Sequence, residues 1–271
     1  NKMTNGICEI VGLTDFSSLG NGGTVGDSGG MARIVNAKNV TIEGVGDDAV
    51  INGWGFHFVS SPVSRVSAED GTSFEARNLS FKGYPEDALG MEGEQSNVGL
   101  DASIELSDKS SPVERCWVHN NSFYQGGNGN AAEGDKNEGD GSCDFKRGRN
   151  YTFSYNYLTD CHKTNLIGSS KTSLQYNVSM HHNWWNDCQS RIPLMRNANV
   201  HFYNNYVSVR GEDAKTSVVH SVRAQSYLFS EANYYDGCKT VAENGGEGGN
   251  IGIKGYNDMY HACYNGDATT K

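Results

Sequence analysis

The feature that most restricts the fold of this chain is a short motif that recurs along it. The motif reads Asn, an apolar or small residue, Thr, Ser or His, an apolar residue and a polar one. Six copies and a degenerate seventh are NVTIEG at Asn39, NLSFKG at Asn78, NSFYQG at Asn121, NYTFSYN at Asn150, NVSMHHN at Asn177, NVHFYNN at Asn199 and QSYLFSEANYY at Gln225. Their short length and alternating character predict β-strands.

The spacing of the copies predicts a solenoid. Successive copies lie 39, 43, 29, 27, 22 and 26 residues apart. Strands that recur at intervals in the twenties, with turns between them, are typical of the coils of a parallel β-helix. In that fold an aligned Asn stacks into a ladder of amide hydrogen bonds. The first two intervals correspond either to one coil with a long insertion or to two coils with a missed copy. An antiparallel sandwich with asparagines in its turns is the alternative.

Composition narrows the class of protein. The chain of 271 residues has 34 glycines and only 4 prolines, which favours tight turns with positive φ over a disordered linker. Its 22 basic and 32 acidic side chains give a net charge of −10, which disfavours a nucleic-acid partner. No run of 18 apolar residues exists, so a membrane-spanning helix is excluded. The seven cysteines show no CxxC spacing, and a mixture of disulfides and free thiols is expected.

Four motifs follow one another in the middle of the chain. They are DGSCDFKRG (140–148), YTFSYNYLTDCHKTNLIGSS (151–170), NVSMHHNWW (177–185) and SRIPLMRNANVHFYNNYV (190–207). In this order and spacing the stretch resembles the pectate lyases of the family that also holds the pectin lyases. A weaker similarity upstream, at DALGMEG (87–93), extends the resemblance over roughly residues 30–240.

The resemblance implies an all-β fold, a right-handed parallel β-helix with long loops forming a substrate groove. We expect a single domain over residues 1–271, in which residues 241–271 are a C-terminal packing tail. The polar segment 124–139 is expected to be a loop that rims the cleft, since binding groups concentrate in loops.

Three aspartates are candidate metal ligands. Asp140 and Asp144 flank a bend at Gly141, and Asp87 belongs to an earlier coil. Neighbouring coils lie about 4.8 Å apart, so stacking would set Asp87 beside the pair. Three hard oxygen ligands with open positions suit Ca²⁺. The resemblance implies that Asp87, Asp140 and Asp144 bind calcium as the cofactor.

Three cations are candidate substrate-binding or catalytic groups. Lys163, Arg191 and Arg196 lie on successive coils and would form an anion-binding groove in an acidic protein. The resemblance implies that Arg191 is the catalytic base, and that Lys163 and Arg196 hold the substrate carboxylate. Arginine normally stays protonated, so the first role needs a cationic neighbourhood that disfavours its charged form. Leu194 stands where the family often has another Arg, which bears on a substrate subsite.

The implied activity is calcium-dependent cleavage of α-1,4-polygalacturonate by β-elimination, which gives 4,5-unsaturated oligogalacturonates. The resemblance further implies a secreted, extracellular monomer whose partner is polygalacturonate, with no nucleic acid or membrane partner. Activity is expected to rise into alkaline pH and to vanish with a chelator. One alternative is a hydrolase of the same polymer, which needs a close carboxylate pair and leaves Arg191 and Arg196 without a role. The other is a non-catalytic polysaccharide-binding solenoid.

Overall fold

The structure is a computed structural model, and it describes residues 2–4, 7–9, 31–60, 72–95, 110–111, 113–127, 134, 136–212 and 214–263. These residues form strands joined by turns, and none of the described segments is a helix. Accordingly, within these segments no helix is long and apolar enough to cross a membrane. Strands β1 (Lys2–Thr4) and β2 (Ile7–Glu9) pair antiparallel.

The remaining strands build three long sheets. Sheet 1 contains β3 (Met31–Val35), β6 (Gly55–Ser60), β9 (Leu89–Gln95), β13 (Cys143–Lys146), β16 (Leu166–Ile167), β19 (Leu194–Arg196), β22 (His220–Arg223) and β25 (Ala242–Asn244). Sheet 2 contains β4 (Val40–Glu43), β7 (Phe74–Arg77), β11 (Val113–His119), β14 (Gly148–Ser154), β17 (Gln175–His181), β20 (Ala198–Tyr203), β23 (Tyr227–Glu231) and β26 (Gly252–Tyr256). Sheet 3 contains β5 (Val50–Asn52), β8 (Ser80–Lys82), β12 (Ser122–Tyr124), β15 (Tyr157–Thr159), β18 (Trp184–Asn186), β21 (Tyr206–Ser208), β24 (Tyr234–Asp236) and β27 (Met259–His261).

Every neighbouring pair along these sheets is parallel, so the parallel β-helix is confirmed and the antiparallel sandwich is wrong. The one antiparallel addition is β10 (Ser110–Ser111), which pairs with β9. Each strand lies beside the equivalent strand one coil on, as where Tyr151 pairs with Val178 and Val178 with Val200. Register also shows that no coil was missed in the two long sequence intervals. Val40 pairs directly with Phe74, and Ser80 pairs directly with Ser122, so each of these coils carries an insertion.

The C-terminal segment continues the solenoid. Strands β25, β26 and β27 pair with β22, β23 and β24 and complete one more coil up to His261. The expectation of a packing tail is therefore wrong for residues 242–261, since their backbone joins all three sheets. Residues 264–271 lie outside the described residues.

Aromatic side chains fill the interior of the coils. The inward positions of sheet 3 stack Phe81 on Phe123, with ring centroids 5.1 Å apart. Phe153 then lies 6.0 Å from Trp185, which lies 5.2 Å from Phe202. All five side chains are fully buried. The register pairs aromatic residues of successive coils, as with Phe81 and Phe123. Their stacking adds to the stabilisation that comes from burying large apolar side chains.

An asparagine ladder runs along the turn between sheets 2 and 3. Each ladder side chain accepts hydrogen bonds from the backbone N–H and the Nδ2 of the ladder residue one coil earlier. The Asn156 nitrogens, for example, lie 3.0 and 3.1 Å from Oδ1 of Asn183. The buried members are Asn121, Asn156, Asn183, Asn205 and Asn233, and the ladder ends on Asp258. The ladder satisfies buried backbone groups that the turn leaves without a sheet partner.

The cysteines carry free thiols wherever their side chains are described. These are Cys116, Cys143, Cys161, Cys188, Cys238 and Cys263. The expected disulfides are therefore absent among these six. All but Cys263 are buried, which is the common situation of a free cysteine.

Candidate active site

The predicted site residues gather along sheet 1 and the turn that leads into it. Gly141, Lys163 and Ser190 form successive parallel bridges, one coil apart. Asp140 immediately precedes Gly141, and Arg191 immediately follows Ser190. The turn therefore presents an acid, a lysine and an arginine in successive coils.

Two buried carboxylates converge beside Gly141. A Cβ atom added to this glycine would lie 2.4 Å from Oδ1 of Asp144 and 2.6 Å from Oδ1 of Asp87. Oδ1 of Asp87 accepts a hydrogen bond from the Gly141 N–H at 3.0 Å. Oδ1 of Asp144 accepts one from the Leu166 N–H at 3.0 Å. Only glycine leaves room for both carboxylates at this point. Two of the three predicted metal ligands, Asp87 and Asp144, therefore meet here.

Burial raises the pKa values of both carboxyl groups, which opposes their simultaneous ionisation. Desolvation and the neighbouring charge of Asp87 raise the pKa of Asp144 to about 8, against the lowering effect of Lys146 and Arg191. Desolvation likewise raises the pKa of Asp87, while Lys146 acts in the opposite direction. Like charges held close together in a buried site favour a bound cation as counter-charge.

Asp140 lies in a more cationic environment than its two neighbours. Its Oδ1 is 3.4 Å from Nζ of Lys163, and its Oδ2 is 3.2 Å from Nζ of Lys136. Burial acts to raise the pKa of Asp140, but Lys136, Lys163 and Arg191 together bring it below the usual value. Lys136 also contacts Oε2 of Glu86 at 2.8 Å, and desolvation raises the pKa of that glutamate to about 7.

The donor set fits a hard divalent cation by its chemistry. Asp87, Asp140 and Asp144 supply carboxylate oxygens, which Ca²⁺ prefers, and two of them carry buried and mutually repelling charges. Within the described part of the chain, however, no three such side chains are already gathered around one point as metal ligands. Lysine ammonium groups contact two of these aspartates instead, as where Nζ of Lys146 lies 3.7 Å from Oδ2 of Asp87.

Arg191 lies on the same side of the solenoid as the acids. Its charge acts on Asp140 and Asp144, lowering the pKa of both carboxyls. Its backbone has φ of +62° and precedes the cis peptide bond between Ile192 and Pro193. The Arg191 carbonyl accepts a hydrogen bond from the Asn165 N–H at 2.7 Å. The backbone of this turn is therefore fixed by the preceding coil.

Arg196 is placed differently from the other predicted cations. It lies on the outer face of β19, paired in register with Arg223 of β22. Its Nε and Nη2 donate to the two carboxylate oxygens of Glu247 at 2.6 and 2.8 Å. Arg196 is thus engaged by an acid of the last coil, and not by Asp87, Asp140 or Asp144.

Four charged residues of this region were not found by sequence reasoning, namely Lys136, Lys146, Arg223 and Glu247. The position of Lys146 could have been predicted from the sequence. It follows Asp144 by two residues in a strand and so lies on the same outer face of β13. Lys136 lies in the segment 124–139 that was predicted to rim the cleft, and its contacts with Glu86 and Asp140 agree with that position.

The sequence is similar to those of known pectate lyases. The family model described as pectate lyase matches residues 15–262. The pectate trisaccharide-lyase of Bacillus licheniformis is 28% identical over 254 residues, covering 81% of this chain and 70% of that protein. Pectate lyase B of Dickeya chrysanthemi is 35% identical over 120 residues, covering 42% of this chain and 30% of that protein.

Solved structures share the fold. Pectate lyase II from Xanthomonas campestris superposes with a TM-score of 0.65 at 22% identity, over 89% of this chain and 66% of that one. A pectate lyase from Bacillus sp. N165 gives a TM-score of 0.62 at 21% identity, over 91% of this chain and 74% of that one. The chain therefore spans about two thirds of the length of the Xanthomonas structure.

Proposed function

Because the chain belongs to the pectate lyase family, we propose that it cleaves unesterified polygalacturonate by calcium-dependent β-elimination. One observation carries the proposal: two buried carboxylates, Asp87 and Asp144, converge at Gly141 on the side of the solenoid where Arg191 lies. A polymer with one carboxylate per sugar needs positive charge at its binding site, and the net charge of this chain is −10. A bound divalent cation and the nearby cations reverse the field locally.

Asp87, Asp140 and Asp144 would hold the calcium ion. When bound, the ion polarises the carboxylate of the sugar and stabilises negative charge that develops beside it. The supporting observation is the donor chemistry at Gly141, where both Asp87 and Asp144 place an oxygen. Lys136 and Lys163 contact Asp140, so Asp140 has to exchange an ammonium partner for the metal ion.

Lys163 and Arg196 would bind the carboxylates of the substrate. Arg forms two parallel hydrogen bonds to a carboxylate, and Lys acts as a point charge. Lys163 is buried beside Asp140, which puts its ammonium group next to the metal ligands. The related enzyme from Bacillus sp. N165 was solved in complex with trigalacturonate, which agrees with an anionic oligosaccharide as the ligand here.

Arg191 would act on the sugar bound between these groups. Its side chain, as the neutral guanidine, takes the proton at C5, next to the carboxylate carbon, and becomes a guanidinium. The bond from C4 to the glycosidic oxygen then breaks, a double bond forms between C4 and C5, and the released oxygen takes a proton from water. Electrostatic stabilisation of the developing charge by Lys163 and Arg196 lowers the barrier for removing this weakly acidic proton. We further propose that the protein is secreted and works as an extracellular monomer.

The test is a product assay on polygalacturonate and on highly methylated pectin, each with calcium and with excess chelator. We expect ultraviolet-absorbing unsaturated ends from polygalacturonate with calcium, and none with chelator. New reducing ends without ultraviolet absorbance would show that the protein is a hydrolase and not a lyase. Turnover that persists in excess chelator would contradict the calcium requirement.

A further inference from the structure

A glycine-rich loop of the last coil presses against sheet 1 downstream of Arg191. It runs from Gly245 to Gly249, between β25 and β26. A Cβ atom added to Gly245 would lie 2.6 Å from Cγ of Arg223 and 2.7 Å from its Nε. One added to Gly249 would lie 2.2 Å from Cγ of Gln225. The two glycines therefore allow an approach that no other residue permits.

The one charged side chain of this loop binds two arginines of sheet 1. Glu247 accepts hydrogen bonds from Nε and Nη2 of Arg196 at 2.6 and 2.8 Å. Its Oε1 also lies 3.1 Å from Nη1 of Arg223. Arg196 and Arg223 are register partners on adjacent strands, so one carboxylate bridges two stacked guanidinium groups.

The backbone at Glu247 is strained in a way that the contact explains. Its φ is +72°, the left-handed region that a residue with a side chain rarely adopts, and Gly246 and Gly248 on either side have φ of +80° and +83°. A non-glycine residue held in this region costs free energy and persists where the surroundings fix it, often at ligand clamps. Here the guanidinium pair and the close-fitting glycines fix the glutamate.

We propose that Glu247 is a tethered carboxylate that occupies, on Arg196 and Arg223, the position a galacturonate carboxylate would take. This inference rests on the proposed function, because it assigns Arg196 to the substrate. Substrate bound along sheet 1 then has to displace Glu247 before it contacts either arginine. The glutamate therefore lowers affinity at this end of the groove and limits how many sugars are held downstream of the cleaved bond.

A neighbouring acid provides a matched control. Glu243 belongs to the same coil and sheet, but its Oε1 accepts a hydrogen bond from Oγ of Ser221 at 2.9 Å, with no arginine contact among the described interactions. Replacing Glu243 by Gln removes one negative charge from the same region without freeing the two guanidinium groups. It thus separates competition at the arginines from a general change in charge.

The experiment measures trigalacturonate binding by calorimetry in saturating calcium chloride. We expect Glu247→Gln and Glu247→Ala to bind about five- to tenfold more tightly than the parent, since a charge-assisted bidentate contact is freed. Glu243→Gln should bind like the parent. In a background with both Arg196→Gln and Arg223→Gln, the gain from Glu247→Gln should shrink below twofold, which a purely structural role of the loop would not produce. Thermal unfolding midpoints check that each variant is folded.

The outcomes separate the inference from the proposed function. Equal or weaker binding by both Glu247 variants, with normal binding by the parent, overturns the inference alone. Absence of binding in the parent and in every variant overturns both. Binding that appears only in the Glu247 variants supports the inference, because the Glu247 carboxylate then blocks both arginines in the parent.

Discussion

Two regions of the solenoid differ in how strictly they repeat. The turn between sheets 2 and 3 places a positive-φ residue and then an asparagine in coil after coil, as at Tyr155–Asn156 and His182–Asn183. Sheet 1 and the turn before it repeat only the backbone. Asp140, Lys163 and Arg191 lie there in successive coils, each at or next to the paired position, so unlike charges become neighbours where the ladder stacks like amides.

The difference teaches which part of the sequence serves stability and which serves chemistry. A repeated amide satisfies its neighbours completely, and each ladder side chain both donates and accepts. A stack of unlike charges instead leaves buried carboxylates with raised pKa values, as at Asp144. Strongly perturbed groups that share one face with cations are candidates for function. Substitutions in the two regions should therefore separate activity from stability.

The largest effect is expected at Arg191. Its replacement by Ala removes the proposed base and should lower the rate of unsaturated product formation about a thousandfold, within the range that acid–base groups contribute. The unfolding midpoint should stay near that of the parent, because the contact that fixes this turn uses the Arg191 carbonyl and not its side chain. If the variant keeps half of the parent rate, Arg191 is not the catalytic base.

A somewhat smaller effect is expected at Asp144. Asp144→Asn should weaken calcium binding roughly a hundredfold in a calorimetric titration, since it removes one charged oxygen ligand. The calcium-free protein should unfold at the same or a higher temperature, because a buried charge that repels Asp87 is gone. Lower stability without loss of calcium affinity would assign Asp144 to the structure.

In the ladder the expected effect falls on stability. Asn183→Ala leaves the buried N–H groups of Asn156 without an acceptor and should lower the free energy of unfolding by about 2–3 kcal/mol. Asn199→Ala is the matched control, because Asn199 accepts one exposed hydrogen bond from the Asn177 N–H, and it should cost under about 0.5 kcal/mol. Chemical denaturation measures both. Equal costs would show that burial of the ladder is irrelevant.

A pH dependence of folding stability is expected at His220 of β22. Burial lowers the pKa of His220 to about 3, well below its usual value of 6.5. The unfolded chain binds a proton below pH 6.5 and the folded chain does not, so stability falls as pH drops from 6.5 towards 3, by about 1.4 kcal/mol per unit. His220→Gln should flatten this slope. Denaturation midpoints between pH 4 and 7 test it.

Sequence repetition predicted the coils but not the ladder. The recurring motif joined two different positions: Asn150 and Asn177 lie within strands of sheet 2, whereas Asn121 immediately precedes a strand of sheet 3. A sharper signal for most of the ladder is an asparagine followed by an aromatic and then an apolar residue, as in Asn183–Trp184–Trp185 and Asn205–Tyr206–Val207. Aligning on that signal would have identified the buried amides.

Site residues that belong to a family motif could be predicted from the sequence. Site residues whose contacts depend on the register between coils could not. The motifs named Asp140 and Arg191, which the structure brings to one side of the solenoid. Lys136 and Glu247 reach their partners only because insertions and the final coil set which strands are neighbours. Register follows from how many residues each coil takes, and that number varies along the chain, so sequence spacing alone leaves these contacts undetermined.

The central claim is that the acidic group and the cations of sheet 1 bind one ligand together. It is tested most directly by measuring the affinity for trigalacturonate with saturating calcium and with excess chelator, in the parent and in the Asn183→Ala and Asp144→Asn variants. Coupled sites predict that calcium tightens binding at least about tenfold in the parent and in Asn183→Ala, but not in Asp144→Asn. Equal affinity with calcium and with chelator in the parent would contradict the account.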